Sequence, residues 1–168
     1  MQRLLQAGAD ANAADVDGMT ALITAAWLGD VTIAKLLLRE GNADANLAGK
    51  AGGTPLLMAT SKGHLELARL LLLEGKADAN LTNDNGVTPL CIAAYKGYLE
   101  LVRLLLLEGK ADANLAMKDG NTPLFIAAQN GHLDIVNCLL AEGNADATVL
   151  NNQGASALHI AAKEGRRR

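Results

Sequence analysis

The sequence predicts an all-α solenoid of stacked helix-turn-helix repeats, with a 34-residue period and β-hairpin-like connecting turns. The 168 residues are 50% hydrophobic but include only four aromatic side chains, so the apolar half is mainly leucine and alanine, which favour helices over strands. Glycines also recur at a fixed spacing, at positions 18, 52, 86, 120 and 154. Self-similarity of this kind indicates a repeat architecture.

Further columns of residues keep the same step of 34. They are threonine or serine at 20, 54, 88, 122 and 156, glycine at 29, 63, 97, 131 and 165, glycine at 41, 75, 109 and 143, and asparagine at 12, 46, 80 and 114. We therefore divide the chain into a partial repeat over residues 1–14, full repeats over 15–48, 49–82, 83–116 and 117–150, and a partial repeat over 151–168.

Each repeat is expected to begin with a short helix that starts at a Thr-Pro pair such as Thr54-Pro55. A threonine N-cap satisfies a free backbone N–H, and proline at the first helical position loses no hydrogen bond. The helix should end near Gly63, because a residue without a Cβ takes the left-handed conformation at low cost.

A second helix is expected from about Leu65 to Glu74, ending at a left-handed Gly75 for the same reason. Its four consecutive leucines, repeated in the next unit as 104–107, cover most of the helix surface and must be buried on several sides. Stacking of repeats supplies that burial, and Leu105 is predicted to lie in the core. The Asp-, Asn- and Gly-rich stretch from Ala77 to Gly86 predicts a long, hairpin-like turn.

At this level of detail the chain resembles the ankyrin repeat family over essentially its whole length. The motifs that carry the resemblance are Gly86-Val87-Thr88-Pro89-Leu90, Ala93-Ala94, Gly63-His64-Leu65, Leu104-Leu105-Leu106 and Gly109 followed by Ala111-Asp112-Ala113-Asn114. Two features depart from the family pattern. One extra residue follows the glycine of each second helix (Asn42, Lys76, Lys110, Asn144), and the family's histidine after Thr-Pro-Leu survives only as His159.

No catalytic, cofactor or metal site is predicted. Cys91 and Cys138 occupy columns of apolar residues and are interpreted as buried free thiols. His64 and His132 share one column two repeats apart, about 20 Å at ordinary helix spacing, which is too far to share a metal ion. The Gly-Lys-Ala segments at 75 and 109 lack the glycine, the Ser or Thr and the strand of a phosphate loop.

Charge and composition exclude several further classes of protein. With 15 basic and 18 acidic residues, the net charge of −3 argues against binding nucleic acid or anionic membrane through a general basic field. The longest leucine run is four residues, far below the roughly 20 needed to span a bilayer. Two cysteines do not make a disulfide framework, so we expect a reduced, cytoplasmic protein.

The resemblance implies a non-enzymatic scaffold that holds an unidentified protein in a groove between the hairpin tips and the first helices. We carry the family's contact positions over residue by residue. They are Val16, Asp17, Met19, Lys50, Asp84, Asn85, Lys118 and Asp119 on the tips, and Trp27, Leu28, Lys62, Tyr95, Lys96, Gln129 and Asn130 on the first helices.

Two hypotheses concern the chemistry of that partner. Trp27, with Leu28 and Met19, would form an apolar end that receives an apolar anchor, because aromatic residues bury much area with little loss of entropy. Alternatively, Trp27 only packs on a neighbouring repeat. Lys62, Lys96 and Lys118 would form a basic stripe for acidic groups, or be ordinary solvated charges interleaved with aspartates.

The two partial repeats leave alternatives open. The chain is a fragment of a longer array, or a monomer whose uncapped ends also allow head-to-tail association. The array is a complete scaffold, the recognition module of a larger enzyme or effector, or an engineered repeat protein without a natural partner.

Overall fold

The computed structural model of the chain describes residues 2–165, which form short α-helices joined by turns. The first helices of successive repeats are α2 (Ala21–Leu28), α4 (Pro55–Lys62), α6 (Pro89–Lys96), α8 (Pro123–Asn130) and α10 (Ala157–Gly165). The second helices are α1 (Gln2–Gln6), α3 (Val31–Glu40), α5 (Leu65–Leu73), α7 (Leu99–Leu107) and α9 (Leu133–Ala141). A single 3-10 turn spans Lys50–Gly52.

These helices stack in two layers. Each first helix contacts the next first helix, from α2 through α10, and each second helix contacts the next second helix, from α1 through α9. The α2–α3, α4–α5, α6–α7 and α8–α9 pairs also contact each other across the layers. The predicted solenoid of stacked helix pairs is therefore confirmed, whereas the division at residues 15, 49, 83, 117 and 151 stays a prediction.

The first helices begin and end where the sequence predicts. The Thr88 hydroxyl accepts a hydrogen bond from the backbone N–H of Cys91 at 3.1 Å, and Pro89 follows as the first helical residue. Thr20, Thr54 and Thr122 cap their helices in the same way. Gly63 ends α4 in the left-handed conformation, at φ 77° and ψ 22°.

The second helices end differently from the prediction. Gly41, at the end of α3, is right-handed at φ −96° and ψ −7°, and Gly75, Gly109 and Gly143 have no positive φ. The left-handed residue is the extra one that follows, at φ 50–52° in Asn42, Lys76, Lys110 and Asn144. The prediction for Gly75 was wrong because the glycine serves a close approach: a Cβ on it would lie 2.8 Å from the Leu71 carbonyl oxygen.

Three of the four leucines in each run lie in the core. Leu105 is fully buried, as predicted, and Leu104 and Leu106 are at most 9% exposed. The fourth leucine points to solvent, since Leu73 is 57% and Leu107 is 62% exposed. The helix is therefore buried on several sides, whereas the last leucine of the run lies on its solvent-facing side.

The long turns are hairpin-like only in outline. Each is closed by two backbone hydrogen bonds, such as those from Asn83 N–H to the Val87 carbonyl at 3.1 Å and from Gly86 N–H to the Asn83 carbonyl at 2.9 Å. Residues 2–165 contain an isolated bridge between Ala14 and Thr20 and no paired strands. Neighbouring tips are linked in series, because Asp84 N–H donates to the Ala51 carbonyl and Lys118 N–H donates to that of Asn85, both at 3.1 Å.

The asparagine column joins consecutive repeats at the left-handed residue. Asn46 Oδ1 accepts from the backbone N–H of Asp78 at 2.8 Å, and its amide donates to the Lys76 carbonyl at 3.3 Å. The equivalent bonds from Asn12 and Asn114 keep the same pattern. The carbonyl groups of Asn42, Lys76 and Asn144 are thus bonded by the repeat before them.

Arginine–glutamate pairs make a second set of links between repeats, on the second-helix layer. Arg39 in α3 bonds Glu74 at the end of α5 at 2.7 Å. Arg69 pairs with Glu108, and Arg103 lies 3.7 Å from Glu142. In the described part of the chain, none of the helices is long and apolar enough to cross a membrane.

Candidate protein-binding face

The predicted contact residues lie on the surface made by the turn tips and the first helices, which we call the tip face. Thirteen of the fifteen are exposed, and the other two, Met19 and Asn130, are half-buried. Exposure alone does not identify a binding site. The contacts that these side chains make, and the clefts between them, indicate where a partner could bind.

At the N-terminal end of the face, Trp27 is 47% exposed at the end of α2, beside Leu28, which is 68% exposed. The Lys62 ammonium lies 3.6 Å from the centroid of the Trp27 ring, close enough for a cation–π interaction. This lysine therefore belongs to the same surface as the tryptophan, and not to a stripe farther along. A partner can pair an acidic group with Lys62 while it contacts the indole.

The tips differ in how firmly they are held. In three tips a side-chain oxygen at the start of the turn accepts two backbone hydrogen bonds. Asn83 Oδ1, for example, accepts from the backbone N–H groups of Asn85 and Val87 at 2.9 and 3.0 Å, and Asp15 and Asn151 do the same in their tips. Gly49 occupies that column in the second tip and has no such oxygen. There the chain forms the 3-10 turn instead, with Ala51 at φ 59°, and Lys50 pairs with Asp17 of the previous tip at 3.1 Å.

Between α6 and α8 the tip face opens into a cleft of about 420 Å³, which we call the central cleft. Its floor and tip-side wall are mainly apolar. Tyr95, Lys96 and Gln129 from the predicted set line it, as does Asp119 on the tip. It is therefore the place where predicted residues from two first helices and a tip meet around one cavity.

Sequence reasoning placed Val87 on a tip but missed the rest of the apolar lining of this cleft, which is Cys91, Ile92, Met117 and Ile126. A signal existed in the repeat columns. Cys91 occupies the column of Leu57, Phe125 and His159, so it is the smallest side chain at that position, and Met117 stands where other tips carry aspartate, glycine or asparagine. The size differences within a column indicate where a stack leaves room.

A second, smaller cleft of about 260 Å³ follows between α8 and α10. Its lining is more polar, with Asn121, Asn151, Gln153, His159 and Lys163 around Phe125 and Ile160. His159 is bonded to Ser156, with 2.8 Å between the ring Nδ1 and the hydroxyl oxygen. The Asp119 carboxylate borders both clefts.

The structure does not bring all predicted residues to the clefts. Lys118 lines neither of them, although its neighbour Asp119 lines both. The Asn130 amide donates to the Ile126 carbonyl of its own helix at 2.8 Å. Val16 is 89% exposed at the tip of the first turn, away from either cleft.

The two thiols are free and buried, as predicted. Burial raises the pKa of Cys91, and the negative charge of Asp119 adds to that shift, while hydrogen bonds with Thr88 oppose it. Burial also raises the pKa of Cys138, with a contribution from Glu142. Both groups therefore stay protonated at neutral pH, which disfavours them as nucleophiles.

The histidines at the start of the second helices connect repeats. The His64 ring packs on Gly29 and its Nε2 lies 3.4 Å from the Trp27 carbonyl oxygen. His132 lies against Gly97 in the same way, 3.2 Å from the Tyr95 carbonyl oxygen. Within residues 2–165 no three His, Cys, Asp or Glu side chains are grouped so that they could hold a metal ion.

Comparison with known families gives one result. A family model described as ankyrin repeats (3 copies) matches the chain in overlapping stretches, over residues 1–83, 41–115, 58–150 and 90–168. These stretches together cover the whole chain. No individual curated protein matches it.

Proposed function

Because the chain belongs to the ankyrin repeat family, whose repeats are generally protein–protein interaction modules, we propose that it is a non-enzymatic scaffold that binds a partner protein on the tip face. The central cleft carries this proposal. It joins the first-helix residues Tyr95, Lys96 and Gln129 to the tip residue Asp119, and it is the kind of partly apolar concavity in which binding residues cluster.

The ion pairs of the opposite, second-helix layer also support the tip face as the binding surface. Three of its arginines are engaged in the Arg39–Glu74, Arg69–Glu108 and Arg103–Glu142 pairs that link the repeats. Those side chains already have partners within the chain, whereas Asp84, Lys96 and Lys118 on the tip face form no ion pair within residues 2–165. Free charges leave the tip face open to a partner.

Site-specific photo-crosslinking tests which face binds. A benzophenone amino acid replaces Tyr95 on the tip face, and in a matched protein it replaces Leu107 on the second-helix layer, where exposure is similar at 59% and 62%. We expect the Tyr95 position to capture a defined partner and the Leu107 position to capture none. Capture through Leu107 alone would place the interface on the other layer and refute the proposal.

We also propose that Trp27 is one anchor of that partner, supported by its exposed ring and by the charge of Lys62 above it. Trp27→Ala should weaken binding of the captured partner more than about tenfold, as loss of a central aromatic residue does. Lys62→Gln keeps the indole and removes only the cation, so it should cost less. An affinity within twofold of wild type for Trp27→Ala would end the anchor hypothesis.

A further inference from the structure

The central cleft has a mainly apolar lining, and charged residues of opposite sign border it. Its apolar lining consists of Cys91 and Ile92 from α6, Ile126 from α8, and Val87 and Met117 from the tips. Its volume of about 420 Å³ lies within the roughly 300–1,000 Å³ of sites that enclose compact ligands.

The charges lie at opposite ends of the cleft. Asp119 stands on the tip side, where its carboxylate is held by the backbone N–H of Asn121 at 3.0 Å and by the Asn121 amide at 2.8 Å. Lys96 stands at the far end of α6, with its ammonium 5.8 Å from the centroid of the Tyr95 ring. Neither forms an ion pair within the described part of the chain, so each can pair with an opposite charge on a ligand.

The length of α6 sets the spacing of a ligand that reaches both charges. This helix has eight residues, which corresponds to about 12 Å along its axis. An extended peptide advances about 3.3 Å per residue, so about four residues cross the cleft. An apolar residue in the middle of such a peptide would lie in the cleft. The peptide residue about two positions before or after it would lie near Asp119, and the one about two positions in the other direction would lie near Lys96.

We propose that the partner presents an extended segment with one large aliphatic side chain in the central cleft, a lysine or arginine facing Asp119 and an acidic residue facing Lys96. This inference rests on the proposed function and specifies the chemistry of its partner. The small side chain of Cys91 makes the room, because the same column holds Leu57 and Phe125 in the neighbouring repeats. Complementary charges at both ends select the partner and orient it.

Synthetic peptides with the core Arg-Ala-Leu-Ala-Glu test the proposal directly. Binding is followed by the methyl signals of Ile92 and Ile126 in the isotope-labelled full chain, with the buried Ile135 as the internal reference. We expect saturable shifts of the two cleft methyl groups and none at Ile135. Replacing the central leucine by alanine should weaken binding at least about tenfold. Peptides with arginine at both ends or glutamate at both ends should bind more weakly than the mixed one.

Two substitutions taken from the chain's own columns test the cleft. Cys91→Phe fills it with the residue found at Phe125, and Met117→Asn replaces its apolar wall with the residue found at Asn83. Each should reduce peptide affinity at least about tenfold, and thermal unfolding checks that each folds. Should Cys91→Phe fail to fold, Met117→Asn still decides the result, because it changes a tip residue that is only half-buried.

The outcomes separate this inference from the proposed function. The inference is overturned if peptide at about 5 mM, above a dissociation constant of ~1 mM, gives no saturable shift. It is equally overturned if a folded Met117→Asn variant binds the peptide as wild type does. If Tyr95 still captures a partner in that case, the tip face remains the interface and only the assigned chemistry fails. If peptide binds the cleft but the protein partner crosslinks through Leu107, the proposed function fails instead.

Discussion

Two adjacent residues follow each second helix from α3 to α9. The first is a glycine that has no room for a Cβ, and the second is a residue with a Cβ that adopts a left-handed conformation. Gly109 has an ordinary backbone conformation, but a Cβ on it would lie 2.8 Å from the Leu105 carbonyl oxygen and 3.1 Å from the Ala79 Cβ. Lys110 is left-handed at φ 51°, and a left-handed conformation costs about 1–2 kcal/mol for a residue with a Cβ. In the first partial repeat the left-handed position is occupied by Gly8, at φ 86°.

Lys110→Gly should therefore raise the free energy of unfolding by about 0.5–1 kcal/mol, because relief of the left-handed strain exceeds the entropy that glycine adds to the unfolded chain. Gly109→Ala should lower it by about 1–3 kcal/mol through overpacking. Urea unfolding of the two variants beside wild type measures both effects. A loss of stability in Lys110→Gly as large as that in Gly109→Ala would contradict this account of the turn.

At the scale of the element, α7 contacts three neighbouring helices, and these contacts bury three of its four consecutive leucines. Leu105 faces the centre of the stack and is fully buried, while Leu107 at the helix end is 62% exposed. Leu105→Ala should cost about 2–5 kcal/mol in the free energy of unfolding, as truncations that leave a cavity do. Leu107→Ala in the same helix should change it by less than about 0.5 kcal/mol. Chemical denaturation of both variants compares them, and equal losses would show that the outer leucine is buried in solution.

The link between α3 and α5 makes stability depend on pH. The hydrogen bond from Arg39 holds the pKa of Glu74 below its ordinary value of 4.5, against the opposing effect of burial. A carboxylate with a lowered pKa in the folded state stabilises the protein above its unfolded pKa, and that contribution is lost as the pH falls through the folded pKa.

Glu74→Gln should therefore flatten the fall of the melting temperature below pH 4.5, since the variant has no proton to take up at this position. Melting curves over a series of acidic buffers measure the slope. Glu66→Gln in the same helix is the control, because Glu66 forms no ion pair within residues 2–165. An identical acid slope for Glu74→Gln and wild type would mean that the pair is not formed in solution.

At the scale of the whole molecule, each repeat is stabilised by the surfaces on both sides of it. The helices α5 and α7 contact second helices on either side and each bury five residues. In the described part of the chain α1 has no buried residue, and α10 buries only Ile160. Nearest-neighbour contacts of this kind make stability vary along a solenoid.

Hydrogen exchange of the 168-residue chain should follow that gradient. We expect the amides of α5 and α7 to be the most protected and those of α1 and α10 to exchange fastest, because local opening costs least where few apolar contacts are broken. Mass spectrometry of peptic fragments measures the order. Uniform protection from α1 to α10 would indicate that the array opens only as one unit.

The sequence by itself determined the period, the helix pairs and most of their ends. Those features follow from local chemistry, such as the Thr88 cap with Pro89 and the left-handed Gly63, and from leucine runs that need cover. Local chemistry also led to the wrong residue at the second turn, where glycine was expected to be the left-handed residue. Gly75 was misread because a Cβ there would lie 2.8 Å from the Leu71 carbonyl oxygen of its own helix and 3.0 Å from the Ala45 Cβ of the preceding repeat.

Only the tertiary structure decided which surface residues act together. It placed Lys62 over Trp27, turned Leu107 to solvent, and gathered Cys91, Met117 and Ile126 with Asp119 around one cleft. Those relations join side chains of neighbouring repeats, about 26–35 positions apart in the sequence, or depend on packing at a helix end. A pattern along the chain therefore records only the column to which each residue belongs. The physical reason is that a cavity depends on the difference in side-chain volume between stacked repeats, which appears only when the repeats touch.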